Sequence, residues 1–190
     1  MKEFDENIRI ETKHLYLRFL KNEDRHDIFV NINHDPEVLR YYVDRYLEKE
    51  EELDLSRYVE TYKQNKMYFL SIVLKESDEV IGNIFQINKP SKLMNSVEVG
   101  FAIGKKHWNK GYMSEALKAM IGLLFESGIH KVRACHIREN KASGKVMEKC
   151  GMHYEGIRKD DLFYHDKYYD TVNYYLLEDE YGTLYDHKTE

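Results

Sequence analysis

Nine residues, Lys105-Lys106-His107-Trp108-Asn109-Lys110-Gly111-Tyr112-Met113, join a strand-like run to a strongly apolar helical one beginning at Ser114. A glycine turn that enters a helix presents backbone N–H groups with no carbonyl partner. The helix dipole adds partial positive charge there, so such a place suits phosphate. Lys105, Lys106 and Lys110 add charge in an otherwise acidic chain. The plainer alternative for the same residues is a solvated turn. Two other phosphate loops are excluded by spacing. No Gly-x-x-x-x-Gly-Lys-Ser/Thr run occurs, since Lys145 after Gly144 is followed by Val146, and there is no Gly-x-Gly-x-x-Gly.

Other residues have chemistry to offer. Glu98 sits mid-strand among Val97, Val99 and Phe101. A carboxylate there must reach solvent or find a partner, because burial alone would raise its pKa. Asn140 stands where it caps a helix, and Ser143 in the first turn can bond locally. Lys145 follows one turn on. His107, His130, His136, His153 and His165 lack the spacing that puts two ligands and a carboxylate on one face, so no metal is expected. Tyr164, Tyr168, Tyr169, Tyr174 and Tyr175 read as sheet packing before a binding box.

The elements that must hold these residues follow from periodicity. His14–Leu20 alternates as a half-buried strand, and Asn22 opens a helical stretch to about Asn33. Asp35-Pro36 restarts a helix, with Asp35 as its cap. Glu48–Asn65 reads as helical, with Leu55, Tyr58, Val59 and Tyr62 on one stripe. Met67–Leu74, Val80–Ile87 and Ser96–Ile103 are strands. A helix over Ser114–Ser127, a strand over Lys131–Ile137 and a helix over Asn140–Cys150 come next, the helices ended by Gly128 and Gly151. Met152–Ile157, Asp161–His165 and Tyr168–Leu177 are strands, and Glu178–Glu190 is a polar tail. A meander followed by a β-α-β-α-β crossover predicts a mixed, mostly antiparallel sheet with helices on its faces. One domain over residues 1–190 is expected, with its core at about 11–177.

Composition narrows the class. The chain has 190 residues, 42% hydrophobic and 33% charged, which is ordinary for a globular protein. Its net charge of −5 disfavours a dedicated nucleic-acid binder. No apolar run approaches the roughly 18 residues of a membrane span. Cys135 and Cys150 form no disulfide framework, so a cytoplasmic location is expected. A homodimer is a candidate assembly.

Four segments together carry a resemblance. The run from Glu98-Val-Gly-Phe-Ala-Ile-Gly to Trp108-Asn-Lys-Gly-Tyr-Met-Ser-Glu-Ala116 resembles the acetyl-CoA segment of the GNAT N-acetyltransferases. It is most similar to the ribosomal-protein N-terminal acetyltransferase (RimJ/RimL) type. Asn140-x-x-Ser143-x-x-x-x-x-Lys149-x-Gly151, Glu11-Thr12 with Leu15-x-Leu17-Arg18, and Tyr169-Asp170 with Tyr174 follow the family's order. The resemblance implies a single domain, built on a strongly twisted central sheet flanked by helices, that transfers acetyl from acetyl-CoA to a primary amine by direct attack in a ternary complex. It implies a protein N-terminal α-amine as acceptor, with a polyamine, an aminoglycoside or a weakly active CoA-binding module as alternatives. It places acetyl-CoA on Phe101, Ala102, Ile103, Trp108, Asn109, Lys110, Gly111, Tyr112, Met113, Ser114, Asn140 and Lys145. It makes Glu98 the base or water-holder and Ser143 the proton donor to the leaving thiolate. Two departures stand out: Met113 occupies a position usually Gly or Ala, and Met147 stands where many relatives carry an acidic Tyr. The segment Asp35–Tyr62, with Tyr41, Tyr42 and Tyr46, falls where the family builds its acceptor pocket.

Overall fold

The computed structural model describes residues 3–185. Strands β1 (Arg9–Glu11), β2 (Leu15–Phe19), β3 (Phe69–Leu74), β4 (Val80–Gln86), β5 (Ser96–Ile103), β6 (Lys131–Ile137), β7 (His153–Tyr164) and β8 (Lys167–Leu177) form one sheet. Its order is β1-β2-β3-β4-β5-β6-β8-β7. Every neighbouring pair is antiparallel except β5 with β6.

Helix α3 (Tyr112–Glu126) makes the crossover that the parallel pair β5–β6 requires. It buries Met113, Ala116, Leu117, Met120, Ile121 and Leu124 against Leu15, Leu17, Leu70, Ile72, Val97 and Val99. Each large apolar side chain so buried contributes about 1.5–3 kcal/mol relative to exposure. Helix α4 (Lys141–Lys149), capped by the Asn140 side chain, lies beside it. The opposite face of the sheet carries Tyr16, Phe69, Val73 and Ala102. There it is covered by the segment from Asn22 to Asp54 and by helix α2 (Leu55–Gln64). A mixed α/β domain with helices on both faces is the architecture that the sequence predicts.

Four expectations change in detail. The Asn22–Asn33 stretch coils throughout but changes pitch, with a short α-helix α1 (Arg25–Ile28) between a tight turn and a wide one. Asp35 accepts the Glu37 N–H at 2.9 Å, yet only turns follow it instead of a helix. Helix α2 begins at Leu55, not Glu48, because Asp54 is extended and accepts the Ser56 N–H at 3.1 Å. The acidic run before it forms only a single tight turn, Glu50–Glu52. The expected strands Met152–Ile157 and Asp161–His165 are one strand, β7, whose register slips between Arg158 and Leu162. Helix α5 (Glu178–Tyr185) continues the polar tail, and the rest of that tail lies outside the described residues.

Candidate active site

The parallel pair β5–β6 is short. Ser96 faces Lys131, Val97 faces Val132 and Glu98 faces Arg133, and there the pairing ends. Beyond that point β5 pairs only with β4, and β6 only with β8. The two strands therefore fork at Glu98. Ile87 N–H donates to the Glu98 carbonyl at 2.8 Å and Gly104 N–H to Ile81 at 2.9 Å, so the even-numbered backbone groups of β5 face β4. By alternation, those of Val99, Phe101 and Ile103 face the fork. The Ile103 carbonyl is taken by Trp108 Nε1 at 2.8 Å. An open row of donors along β5 is thus bounded at its far end by an indole.

Past Trp108 the chain turns into α3. Asn109 and Gly111 both adopt left-handed backbone, with φ of 60° and 84°. A turn of this kind points successive N–H groups inward as an anion-binding concavity. A Cβ added to Gly111 would meet no atom within 4 Å, so the backbone is open to an incoming group. Gly111 offers no side chain to cap the helix, and the first intrahelical bond is Glu115 N–H to Gly111 at 3.1 Å. The N–H groups of Tyr112, Met113 and Ser114 precede it without an intrahelical carbonyl. Met113 points the other way, buried in the core, so its bulk does not obstruct the turn. Glu115 ties this helix start to the turn before β2: it accepts Thr12 Oγ1 at 2.6 Å, His14 N–H at 2.7 Å and His14 Nδ1 at 2.8 Å. Its partial burial favours the neutral acid, but these donors outweigh it and hold the pKa below the usual value.

At the fork, the Glu98 carboxylate is 17% exposed and is met from β6 on both oxygens. Cys135 Sγ lies 3.5 Å from Oε1 and Arg133 Nη1 3.5 Å from Oε2. The Glu98 N–H donates to Asn88 Oδ1 at 2.8 Å. Burial, reinforced by the carboxylate, pushes the Cys135 thiol up to about 12, so it stays a donor. On the same face Phe85 lies over Gly100, where a Cβ would come within 2.7 Å of the ring. Tyr42 OH reaches Asn83 Oδ1 at 3.3 Å beside Phe85. The β7–β8 hairpin closes the far side. Tyr164 OH is ringed by the carbonyls of Leu39, Tyr42 and Asp44 at 3.0, 3.2 and 3.1 Å.

A fork with free donors, a carboxylate at its base and an anion-binding turn at its mouth can hold an acyl thioester with a phosphate-bearing tail. Comparison with known proteins decides the family: residues 14–153 match the acetyltransferase (GNAT) domain. The chain belongs to the GNAT acetyltransferases. It is 28% identical over 174 residues to the uncharacterized N-acetyltransferase p20 of Bacillus licheniformis, covering 90% of this chain and 97% of that one. It is 30% identical to the ribosomal protein uS5-alanine N-acetyltransferase of Escherichia coli (strain K12), over 60% of this chain and 59% of that one. Among solved structures it resembles the spermidine N-acetyltransferase of Vibrio cholerae in complex with CoA and spermine. That match has a TM-score of 0.75 and 22% identity, over 88% of this chain and 98% of that chain. The protein is accordingly an acetyl-CoA-dependent N-acetyltransferase.

For this GNAT acetyltransferase, the structure sorts the sequence-derived residues. Trp108, Asn109, Lys110 and Gly111 are exposed on the turn, with Tyr112 and Ser114 half-buried behind them. Phe101 and Ile103 are half-buried with backbone toward the fork, whereas Ala102 is buried under the helical layer with backbone toward β4. Asn140 caps α4 through the Ser143 N–H at 3.3 Å, and Ser143 is half-buried one turn in. Lys145 is exposed on α4. The lysine patch is smaller than the sequence suggests. Lys105 pairs with Glu37 at 2.5 Å and Lys106 with Glu79 at 2.6 Å, leaving Lys110 as the lysine of the turn with no ion-pair partner among the described residues. Sequence reasoning missed Arg133, Cys135 and Asn88 around Glu98. Their roles depend on register across β4, β5 and β6, and the only available signal was the i, i+2 spacing of Arg133 and Cys135 on one strand face. No group of three or more metal-ligating side chains lies together among the described residues, and no described helix is long and apolar enough to cross a membrane.

Proposed function

We propose that this acetyltransferase is of the ribosomal-protein N-terminal type, acting on the α-amine of a polypeptide. The observation that carries the reading is the fork at Glu98: free β5 donors on one arm and a two-sided grip on the carboxylate from the other. Acetyl-CoA supplies an activated acyl group and a thiol leaving group. The turn from Trp108 to Ser114 would hold its phosphates by backbone N–H, with Lys110 and Lys145 adding charge, and Asn140 would contact the pantetheine. The N–H groups of Val99, Phe101 and Ile103 offer donors to the carbonyl oxygen as it gains charge.

An amine attacks only when neutral. An α-amine loses its proton near pH roughly 7.7–8.0, a lysine amine near about 10.4, so a carboxylate acting through water suffices for the first. Glu98, gripped by Arg133 and Cys135, takes that role in this reading. Ser143, on the first turn of α4, delivers a proton to the departing thiolate. Met147 is fully buried in the core and has no proton to give. The weak-binder alternative loses force because Met113 is buried away from the turn. A polyamine acceptor would draw on Asp44, Glu52 and Asp54 in the cavity of about 610 Å³ beside α2, but Arg45 and Arg57 line that cavity too. Turnover of acetyl-CoA with a panel of peptides and small amines tests the proposal. Peptide α-amines should be the better substrates, and turnover restricted to small amines would refute it.

A further inference from the structure

A second cavity, of about 680 Å³, lies beside the fork, under the loop between β4 and β5. It adjoins Glu98 through Arg133, which forms part of its wall and grips the carboxylate. Its charge is opposite to that of the whole chain. Lys89, Lys131, Arg133 and Arg158 line it, against Glu155 as the one acid, in a protein of net charge −5. Two of these cations are neutralised locally. Lys131 pairs with Glu155 at 2.5 Å and Arg133 with Glu98 at 3.5 Å. Arg158 reaches Asp161 only at 3.8 Å and is half-exposed. Lys89 meets no carboxylate within ion-pair distance among the described residues. The groove thus offers a ligand one cation without an ion-pair partner among the described residues, Lys89, and one held only by a long pair, Arg158. Beside them Leu93 is 97% exposed and Met94 71%, so one wall is apolar and unburied.

We infer that this groove receives the residues following the reacting amine of an acidic peptide, with Lys89 and Arg158 as specificity-determining residues that pair with its carboxylates. The inference rests on the reading of a polypeptide α-amine acceptor. The electrostatics disfavour the opposite choice at this place: a polyamine lying here would bring further ammonium groups against Lys89 and Arg158, while Glu155, Glu98 and Asp161 are already engaged with cations of the groove. A carboxylate two to four residues from the amine meets the cations while the amine stays at Glu98. An extended chain advances about 3.3 Å per residue, so a few residues span the width of two strands at about 4.8 Å spacing.

The test uses the full chain and acetyl-CoA with three peptides of one length and one N-terminal residue, bearing two Glu, two Gln or two Lys at the third and fourth positions. Glycine and spermidine serve as small-amine arms. An exposed ion pair is worth up to about fivefold in affinity, so two should give the Glu peptide a KM about tenfold below that of the Lys peptide. That gap should narrow as salt rises from 20 to 300 mM, about a fourfold fall in Debye length. It should also invert in the double variant K89E/R158E. The salt series uses the unaltered protein, so a variant that fails to fold leaves it intact. Equal KM values for the three peptides, or a lower one for the Lys peptide, would overturn the inference while leaving the peptide reading standing. Turnover of spermidine with none of any peptide would overturn both. Turnover of glycine alone would refute the peptide occupant.

Discussion

Three residues carry the proposed mechanism at the site, Glu98, Ser143 and Gly111, and each can be changed separately. Replacing Glu98 by Gln keeps its shape and one acceptor for Cys135 but cannot take a proton. Below its pKa the acceptor amine is mostly protonated, so the base matters most at low pH. E98Q should therefore slow turnover most on the acid limb and converge on the wild-type rate at alkaline pH, as a rate–pH series would show. An equal loss at every pH would make Glu98 a positioning residue instead. Replacing Ser143 by Ala should lower kcat, within the roughly 10²–10⁴-fold that proton transfer contributes in general, with little change in acetyl-CoA affinity. Pre-steady-state turnover measured beside calorimetry separates the two effects. Gly111 has φ of 84° and open space beyond its missing Cβ. Val there both strains the backbone and projects into the anion's place, so G111V should weaken acetyl-CoA binding by at least about tenfold, about 1.4 kcal/mol. Unchanged calorimetric affinity in a folded variant would move the phosphates elsewhere.

The site is assembled from element ends, and this explains what could be read in advance. Strand β5, helix α3 and the cap of α4 were legible because periodicity, Gly111 and Asn140 mark them locally. The grip on Glu98 was not, since Arg133 and Cys135 reach it only through the register of a parallel pair that stops after three residues. The sequence puts the start of α2 seven residues early, because an acidic run and a helix start share one composition and only the extended backbone of Asp54 separates them. Strand β7 reads as two strands in the sequence because the slip between Arg158 and Leu162 leaves three polar residues out of register. The β7–β8 hairpin is fastened to the Leu39–Asp44 segment by one hydroxyl, Tyr164 OH. Y164F should reduce stability by about 0.5–1.5 kcal/mol, the net worth of one hydrogen bond. It should also raise the acceptor KM without altering acetyl-CoA affinity, because the hydroxyl bonds the Leu39–Asp44 segment and not the Trp108–Ser114 turn. A change in acetyl-CoA affinity in Y164F would show that the hairpin and the turn are coupled.

At the scale of the whole molecule, the buried titratable groups set how stability follows pH. His107 is buried with both ring nitrogens lacking a hydrogen bond, and Glu79 Oε1 lies 3.6 Å from Nε2. Burial lowers its pKa despite that carboxylate. His136 is lowered too, chiefly by burial, although Nδ1 sits 2.7 Å from the Ile137 carbonyl. For both, the unfolded chain takes up a proton near pH roughly 6.5, above the folded pKa. Between the two values the unfolded state binds more protons, so stability falls as pH falls. Glu79 and Glu115 act lower on the scale. Burial raises their pKa, but Lys106 and Asn31 on Glu79, and Thr12 and His14 on Glu115, outweigh it. Their stabilisation is present above the unfolded carboxylate value and is lost as pH drops through the folded one. His26 runs the other way, raised by Glu50, but it is fully exposed and screened, so its weight is small. The buried pairs therefore decide the sign. The unfolding midpoint in urea should hold from pH 8 to about 7, decline from about 6.5, and steepen below about 4.5 as the carboxylates join. H136F removes one of the two buried imidazoles and should flatten the first part of the decline. A midpoint constant from pH 7 to pH 5 would mean that His107 and His136 already titrate in the folded protein as they do in the unfolded chain.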